Sequence, residues 1–253
     1  MEHRPKIKRK TLEKEEEEDL KVVCKKNFEL MHQGSFSVCK GGPRLRVHPT
    51  TGVHEFQVDA AACDELLQLV CDQKNRNSSG HLILAGRVYP GYEDYKLHEA
   101  KRHSAIKQKQ FISMFVGKPL QHAIDNHPPF KTLVMQACGL LGCTQEYIKQ
   151  AHIIIQHTPL AVFAWHNDSF DLNLHRKAVS VIIPINGAAS GIELWGFEEH
   201  HYKGTGCAIA FPAAAHHRSV PLKQLDGHTE NIRAIPEHVL QNAPVKLAMF
   251  FSK

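Results

Sequence analysis

Four apolar runs in the second half of the chain decide its fold: AVFAWHNDSFDLN (161–173), AVSVIIPIN (178–186), GIELW (191–195) and GTGCAIAFPAAAHHRSVP (204–221). Each is short, rich in β-branched or aromatic residues and closed by Gly, Pro or Asn, the pattern of strands joined by turns. The run from 152 to 157 (HIIIQH) precedes them, and residues 245–251 (VKLAMFF) follow as a last strand. Two chemically distinctive features sit at the strand ends. His166 and Asp168 are two apart, and in an extended segment such residues point to one face. His217 comes after Phe211-Pro212 and four residues before Pro221.

Working outward toward the N-terminus, the period becomes helical. Residues 130–141, opened by Pro128-Pro129, and residues 60–73 (AAACDELLQLVCDQ) carry apolar positions at helix spacing. Residues 97–126 read as one or two helices divided at Gly117-Lys118-Pro119, and 145–150 as a further helical turn. Residues 44–59 alternate on both sides of Thr50-Thr51-Gly52, which predicts a hairpin, and 81–89 reads as a strand broken by Pro90-Gly91. Residues 1–20 are a block of basic and then acidic charge, expected to be a solvated, disordered tail. The expectation is therefore one α+β domain over 21–253, with helical and mixed support in 21–150 and a β-sandwich or jelly-roll core in 151–253.

Composition excludes several classes. Of 253 residues, 42% are hydrophobic and 23% charged, ordinary for a globular chain. No apolar run approaches the length of a membrane span, and no apolar segment follows the charged N-terminus, so a soluble, intracellular protein of nucleus or cytoplasm is expected, without membrane partners. The seven cysteines are odd in number and form no CxxC pair, which argues against a disulfide framework or zinc ribbon. Cys138, Cys143 and Cys207 are expected as buried thiols. The net charge of +5 permits a polyanionic partner, with Lys6–Lys10 and the basic residues Lys96, Lys101, Arg102, His103, Lys107 and Lys109 as its contacts. Oligomeric state is not legible.

Two imidazoles and one carboxylate on one face of a metal, with other positions open, make the facial triad of non-haem Fe(II) oxygenases. His166, Asp168 and His217 are the candidate ligands, with His216 the adjacent alternative; neighbouring strand residues face opposite ways, so one of the two binds. His175, His200 and His201 are rivals, expected in connecting loops. The order H-x-D, apolar strand (179–185), Gly-led strand ending in Phe-Pro (206–212) and distal His before Pro221 resembles the double-stranded β-helix of the Fe(II)/2-oxoglutarate dioxygenases, over roughly residues 151–253. A cupin would bring several histidines within one short motif.

The resemblance implies Fe(II) and 2-oxoglutarate as cofactor and cosubstrate, with a basic residue of the last core strand binding the far carboxylate. Lys246 holds that position here, and Arg233 is the second candidate. It also implies helices of the N-terminal half packed on one side of the core. Trp165, Phe170, Trp195 and Phe211 are candidate pocket walls, and Asn173 and Asn186 candidate hydrogen-bond donors. A fainter likeness, in HRSVPLKQ and PVKLAMFFSK, is to the TET/J-binding-protein group, which implies a modified base in nucleic acid as substrate. The alternatives are a protein side-chain or small-molecule hydroxylase of prolyl-hydroxylase type, and a non-catalytic β-sandwich binding module.

Overall fold

The computed structural model describes residues 46–48, 53–75, 83–84, 87–88, 111–156, 165–172, 174, 178–220 and 242–252. The fold is mixed α+β, with antiparallel sheets and a few helices. β1 (Arg46–Val47) and β2 (His54–Gln57) form the expected hairpin and lead into α1 (Ala60–Cys71). β3 (Ile83–Leu84) and β4 (Arg87–Val88) pair with each other. β5 (Phe111–Val116), α2 (Lys118–Asn126), α3 (Pro128–Leu141) and β6 (Ile148–Ile155) follow. Next come a short α4 (Asp168–Asp171), β7 (Val179–Pro184), β8 (Gly191–Leu194), β9 (Glu199–His201), β10 (Cys207–Pro212), β11 (His217–Ser219) and β12 (Val245–Phe251).

Seven strands make one sheet in the order β1-β2-β10-β7-β12-β6-β5, and β11-β8-β9 make a smaller one. From β6 onward the chain alternates between them. β6, β7, β10 and β12 lie in the large sheet; β8, β9 and β11 lie in the small one, which His166 joins by a bridge to His217. The edge strands β1, β2 and β5 come from the N-terminal half and widen the large sheet on both sides.

The helices begin and end where local chemistry dictates. The Asp59 side chain accepts hydrogen bonds from the amides of Ala61 and Ala62 and so caps α1. Pro128 starts α3, where a missing amide costs nothing. Gly142 ends α3 at φ 61°, a left-handed conformation that favours glycine, and the Cys143 amide closes back on the Cys138 carbonyl. Leu66 and Val70 of α1 and Phe130, Leu133 and Val134 of α3 cover one face of the large sheet, against Phe56, Phe115, Val181, Ile183, Leu247 and Met249. The other face meets the small sheet through Ile209 and Phe211 against Ile192 and Leu194. Every residue of β12 is buried, as a central strand covered on both faces requires.

Four element readings are corrected. Residues 111–116 are a strand, not part of a helix: FISMFV pairs with β6 from Phe111↔Ile155 to Val116↔Gln150, where aromatic and β-branched side chains suit a pleated surface. The 81–89 strand is instead the β3–β4 hairpin. Residues 145–147 form one 3₁₀ turn, and β6 has begun by Ile148. His200 and His201 lie on strand β9, not in loops. Among the thiols, Cys63 and Cys138 are buried, while Cys143 and Cys207 are half-buried; the five described cysteines are free. The predicted tail, the basic cluster at 96–109, the segment 161–164, Asn173, His175 and Arg233 lie outside the described residues.

Gly191 shows how tightly β8 and β9 are joined. A Cβ there would lie 2.5 Å from the His200 carbonyl oxygen and 3.2 Å from its carbon, both backbone atoms that cannot swing aside. Gly191→Ala should lower the unfolding free energy by about 1–3 kcal/mol, the usual cost of overpacking. Urea denaturation with an unchanged m-value checks this; an unchanged midpoint would show that the small sheet yields.

Candidate metal centre

His166 and His217 face each other through backbone bonds in both directions: the His166 amide donates to the His217 carbonyl (3.0 Å) and the His217 amide to the His166 carbonyl (2.9 Å). Their rings lie 4.2 Å apart between centroids. Asp168 does not continue a strand, as expected from the H-x-D spacing, but opens α4. Its placement is enforced from three sides. The Ser169 amide donates to the Ala213 carbonyl (3.0 Å), the Leu172 amide donates to the Asp168 carbonyl (2.9 Å), and Ser180 Oγ on β7 donates to Asp168 Oδ2 (2.5 Å). Asp168 Oδ1 then lies 3.5 Å from His166 Nε2, and Oδ2 lies 3.5 Å from His217 Nε2. The His166 and Asp168 side chains and that of His217, some fifty residues on, are buried or half-buried together and present donor atoms close enough to hold one metal ion.

The second nitrogen of His217 is accounted for. Nδ1 lies 2.9 Å from the Ala215 carbonyl, to which it donates, leaving Nε2 with its lone pair toward Asp168. This is how metal-binding histidines are oriented from behind. Burial pushes the His217 imidazole down to about 4, so it is neutral and able to ligate at neutral pH. Burial alone would raise the Asp168 carboxyl, but the His217 and His166 imidazoles and the Ser180 hydroxyl outweigh it and hold it at about 2. Two imidazoles and a carboxylate are a donor set of intermediate hardness. His216 turns away from this group: its Nε2 meets Asn167 Nδ2 at 3.3 Å.

The face of the large sheet that carries Ser180 also carries the other polar groups of the interior. Side chains alternate along a strand. On β12, Val245, Leu247 and Met249 pack toward the helices, so Lys246, with Ala248 and Phe250, points the opposite way. Lys246 is only 4% exposed, and among the described residues no carboxylate lies within ion-pair distance; its ammonium sits 5.5 Å from the Tyr202 ring. Burial pushes it down to about 8. Gln156, one residue beyond β6 on the same alternation as Ile154, is fully buried with neither end of its amide hydrogen-bonded. Sequence reasoning did not single it out; a glutamine directly after a β-branched run was the available signal.

Three expected pocket residues have other roles. Asn186 Nδ2 donates to the Ala243 carbonyl (2.7 Å) and its Oδ1 accepts from the Val245 amide (3.1 Å), so it pins the start of β12. Trp165 and Trp195 pack together at 4.4 Å, with the Arg218 guanidinium 4.8 Å from the Trp165 ring centroid. Arg218 also bonds Glu193. Alternation places Glu193 and Arg218 on the face of the small sheet opposite Ile192, Leu194 and His217, so this cluster lies outside the space between the sheets. Phe211 does wall the centre, edge-on to His217 at 4.9 Å.

No family model matches the chain. A curated 3-ketoacyl-CoA thiolase of Shewanella frigidimarina is 29% identical over 115 residues, 43% of this chain. The match spans 26% of that thiolase. Among solved structures, a prolyl-4-hydroxylase of Pseudomonas putida covers 90% of this chain and 98% of its own, at 11% identity and a TM-score of 0.42. A Trichoplax adhaerens prolyl hydroxylase, solved with a hypoxia-inducible-factor peptide, covers 92% of both chains at 12% identity and 0.42. EvdO2 of Micromonospora carbonacea var. aurantiaca, solved with 2-oxoglutarate, covers 79% of this chain and 86% of its own at 14% and 0.43.

A buried cation with no carboxylate partner among the described residues leaves a signature in the folding equilibrium. Lys246 binds its proton more weakly folded (about 8) than unfolded (10.5), so the unfolded chain holds more protons between these values and stability rises with pH. At about 1.4 kcal/mol per pH unit, the gain between pH 8 and 10.5 is about 3 kcal/mol. Lys246→Met should abolish that rise in denaturation curves measured across this range. An equal rise in the variant would assign it to other groups.

Proposed function

We propose that the chain is an Fe(II)- and 2-oxoglutarate-dependent oxygenase built on a double-stranded β-helix. The observation that carries the reading is the pairing, in one interior, of the His166, Asp168 and His217 donor set with a buried lysine that has no carboxylate partner among the described residues. The alternation of strands between two sheets from β6 to β12 supports the fold assignment. His166, Asp168 and His217 would hold the iron, the carboxylate supplying charge and the imidazoles intermediate softness. Lys246 would hold the far carboxylate of 2-oxoglutarate as a point charge. It lies opposite Pro184, four residues along β7 from Ser180, which is about 14 Å at ~3.4 Å per residue. Gln156, on the same face, offers an amide donor beside that charge. Arg233 lies outside the described residues and is not needed for this arrangement.

When bound, iron and 2-oxoglutarate would supply oxidation by dioxygen, with 2-oxoglutarate consumed to succinate and carbon dioxide. The chain's own contribution is positional. Ser180 orients Asp168, Ala215 orients His217, and Phe211 and Ile182 exclude water from the interior side. Both substrate classes expected from the sequence are compatible with this core. A modified base in nucleic acid would draw on basic residues outside the described set, and steep loss of binding with rising salt would distinguish it from a protein or small-molecule substrate.

Succinate release with Fe(II), dioxygen and 2-oxoglutarate, without a prime substrate, tests the proposal. The wild-type chain should turn over slowly. His166→Ala and Asp168→Ala should lose turnover and iron binding, and Lys246→Met should raise the 2-oxoglutarate KM at least tenfold while iron binding persists. Iron binding without 2-oxoglutarate consumption would overturn the cosubstrate assignment. No iron binding would leave the non-catalytic binding module as the better reading.

A further inference from the structure

A second group of metal-ligating side chains lies away from the first, on the far side of β8 from His217. His48 follows β1, Glu55 is in β2, and His200 is the central residue of β9. β2 belongs to the large sheet and β9 is the outer strand of the small one, so the three side chains meet where two sheets come together at their edges. Each offers a ligand atom, and these atoms lie within 4.8 Å of one another. His200 Nε2 is 3.7 Å from Glu55 Oε1, and the His48 and His200 rings meet edge to face with centroids 4.9 Å apart.

His200 is the informative member. It is 3% exposed, its Nδ1 has no hydrogen-bond partner, and its Nε2 stops beyond hydrogen-bond distance of Glu55. A buried polar group so placed is costly and calls for an explanation, of which a coordinated ion is one. Burial also pushes the imidazole down to about 4, so it is neutral at ordinary pH. Lys203 supplies the positive charge in the metal-free chain: its Nζ lies 2.9 Å from both Glu55 oxygens. The Lys203 side chain is more than half exposed, and exposed ion pairs contribute little, so it is a weak occupant of that position.

We propose that His48, Glu55 and His200 form a second divalent-cation site, of the zinc class, that clips β2 to β9 and competes with Lys203 for the Glu55 carboxylate. Two imidazoles and a glutamate are a three-residue set that zinc uses with its fourth position open. The clip spans two segments far apart in the chain, so bound metal stabilises the folded state over the unfolded one. This inference stands apart from the oxygenase reading, since none of its residues belongs to the first cluster.

The test uses zinc alone, titrated calorimetrically into the full chain in the presence of a competing chelator that suppresses weak surface sites. The native chain should bind two equivalents, and His166→Ala/His217→Ala should bind one, with a zinc-dependent rise in Tm. Within that background, Glu55→Gln and His48→Asn should weaken the remaining equivalent at least tenfold. Lys203→Met, a change at an exposed side chain with little risk to folding, should tighten it at least tenfold. If the first-cluster variant does not fold, the same shifts are read on the second equivalent of the native chain. The proposal is overturned if no second equivalent appears, or if its affinity is the same in Glu55→Gln, His48→Asn and Lys203→Met. In that case Lys203 and Glu55 form an ion pair only.

Discussion

The paired backbone hydrogen bonds between His166 and His217 are the constraint on which the candidate centre depends. They join the end of one segment to the start of β11 and so set two imidazoles face to face before any metal is considered. After that bridge the chain turns into α4, and the Asp168 carboxylate lies 3.5 Å from Nε2 of each histidine. Ser180 and the Ala213 carbonyl hold it there. A site held by backbone bonds to regular elements is more exact than one carried on loops: His217 lies on β11, His166 is bridged to it, and Asp168 opens α4. The three candidate donor groups are therefore brought together by the fold.

The large sheet separates two tasks by alternation. On the helix side, Val181, Ile183, Leu247 and Met249 contribute to a continuous apolar core that supplies stability. On the opposite side the same strands present Ser180, Lys246 and, beyond β6, Gln156; Glu55 on β2 faces this way too, opposite Ile209. Polar groups in a dry interior are unfavourable unless paired. They are concentrated on one face, where both ends of the Gln156 amide lack a hydrogen-bond partner and Lys246 has no carboxylate partner among the described residues. The fold tolerates this cost because the other face carries an uninterrupted core.

Residue pattern alone was sufficient for the long and strongly periodic elements. The capped apolar stripe of α1, the proline-opened α3 and the apolar run of β12, interrupted by Lys246 alone, carry their own evidence, since propensity and burial agree along them. His166, Asp168 and His217 were legible because strong apolar runs and turn residues frame them. Elements whose stability comes from distant partners were not legible: β5 is a strand because β6 lies beside it, and the polar EHH of β9 is a strand because β8 holds it. The facing of Trp165 and Trp195, the consumption of Asn186 by backbone and the isolation of Lys246 likewise required tertiary structure, as did the meeting of His48, Glu55 and His200. A sequence states what each side chain is able to do. Which groups share a dry interior, and so which charges are left for a ligand to answer, is decided only when strands far apart in the chain are brought into register.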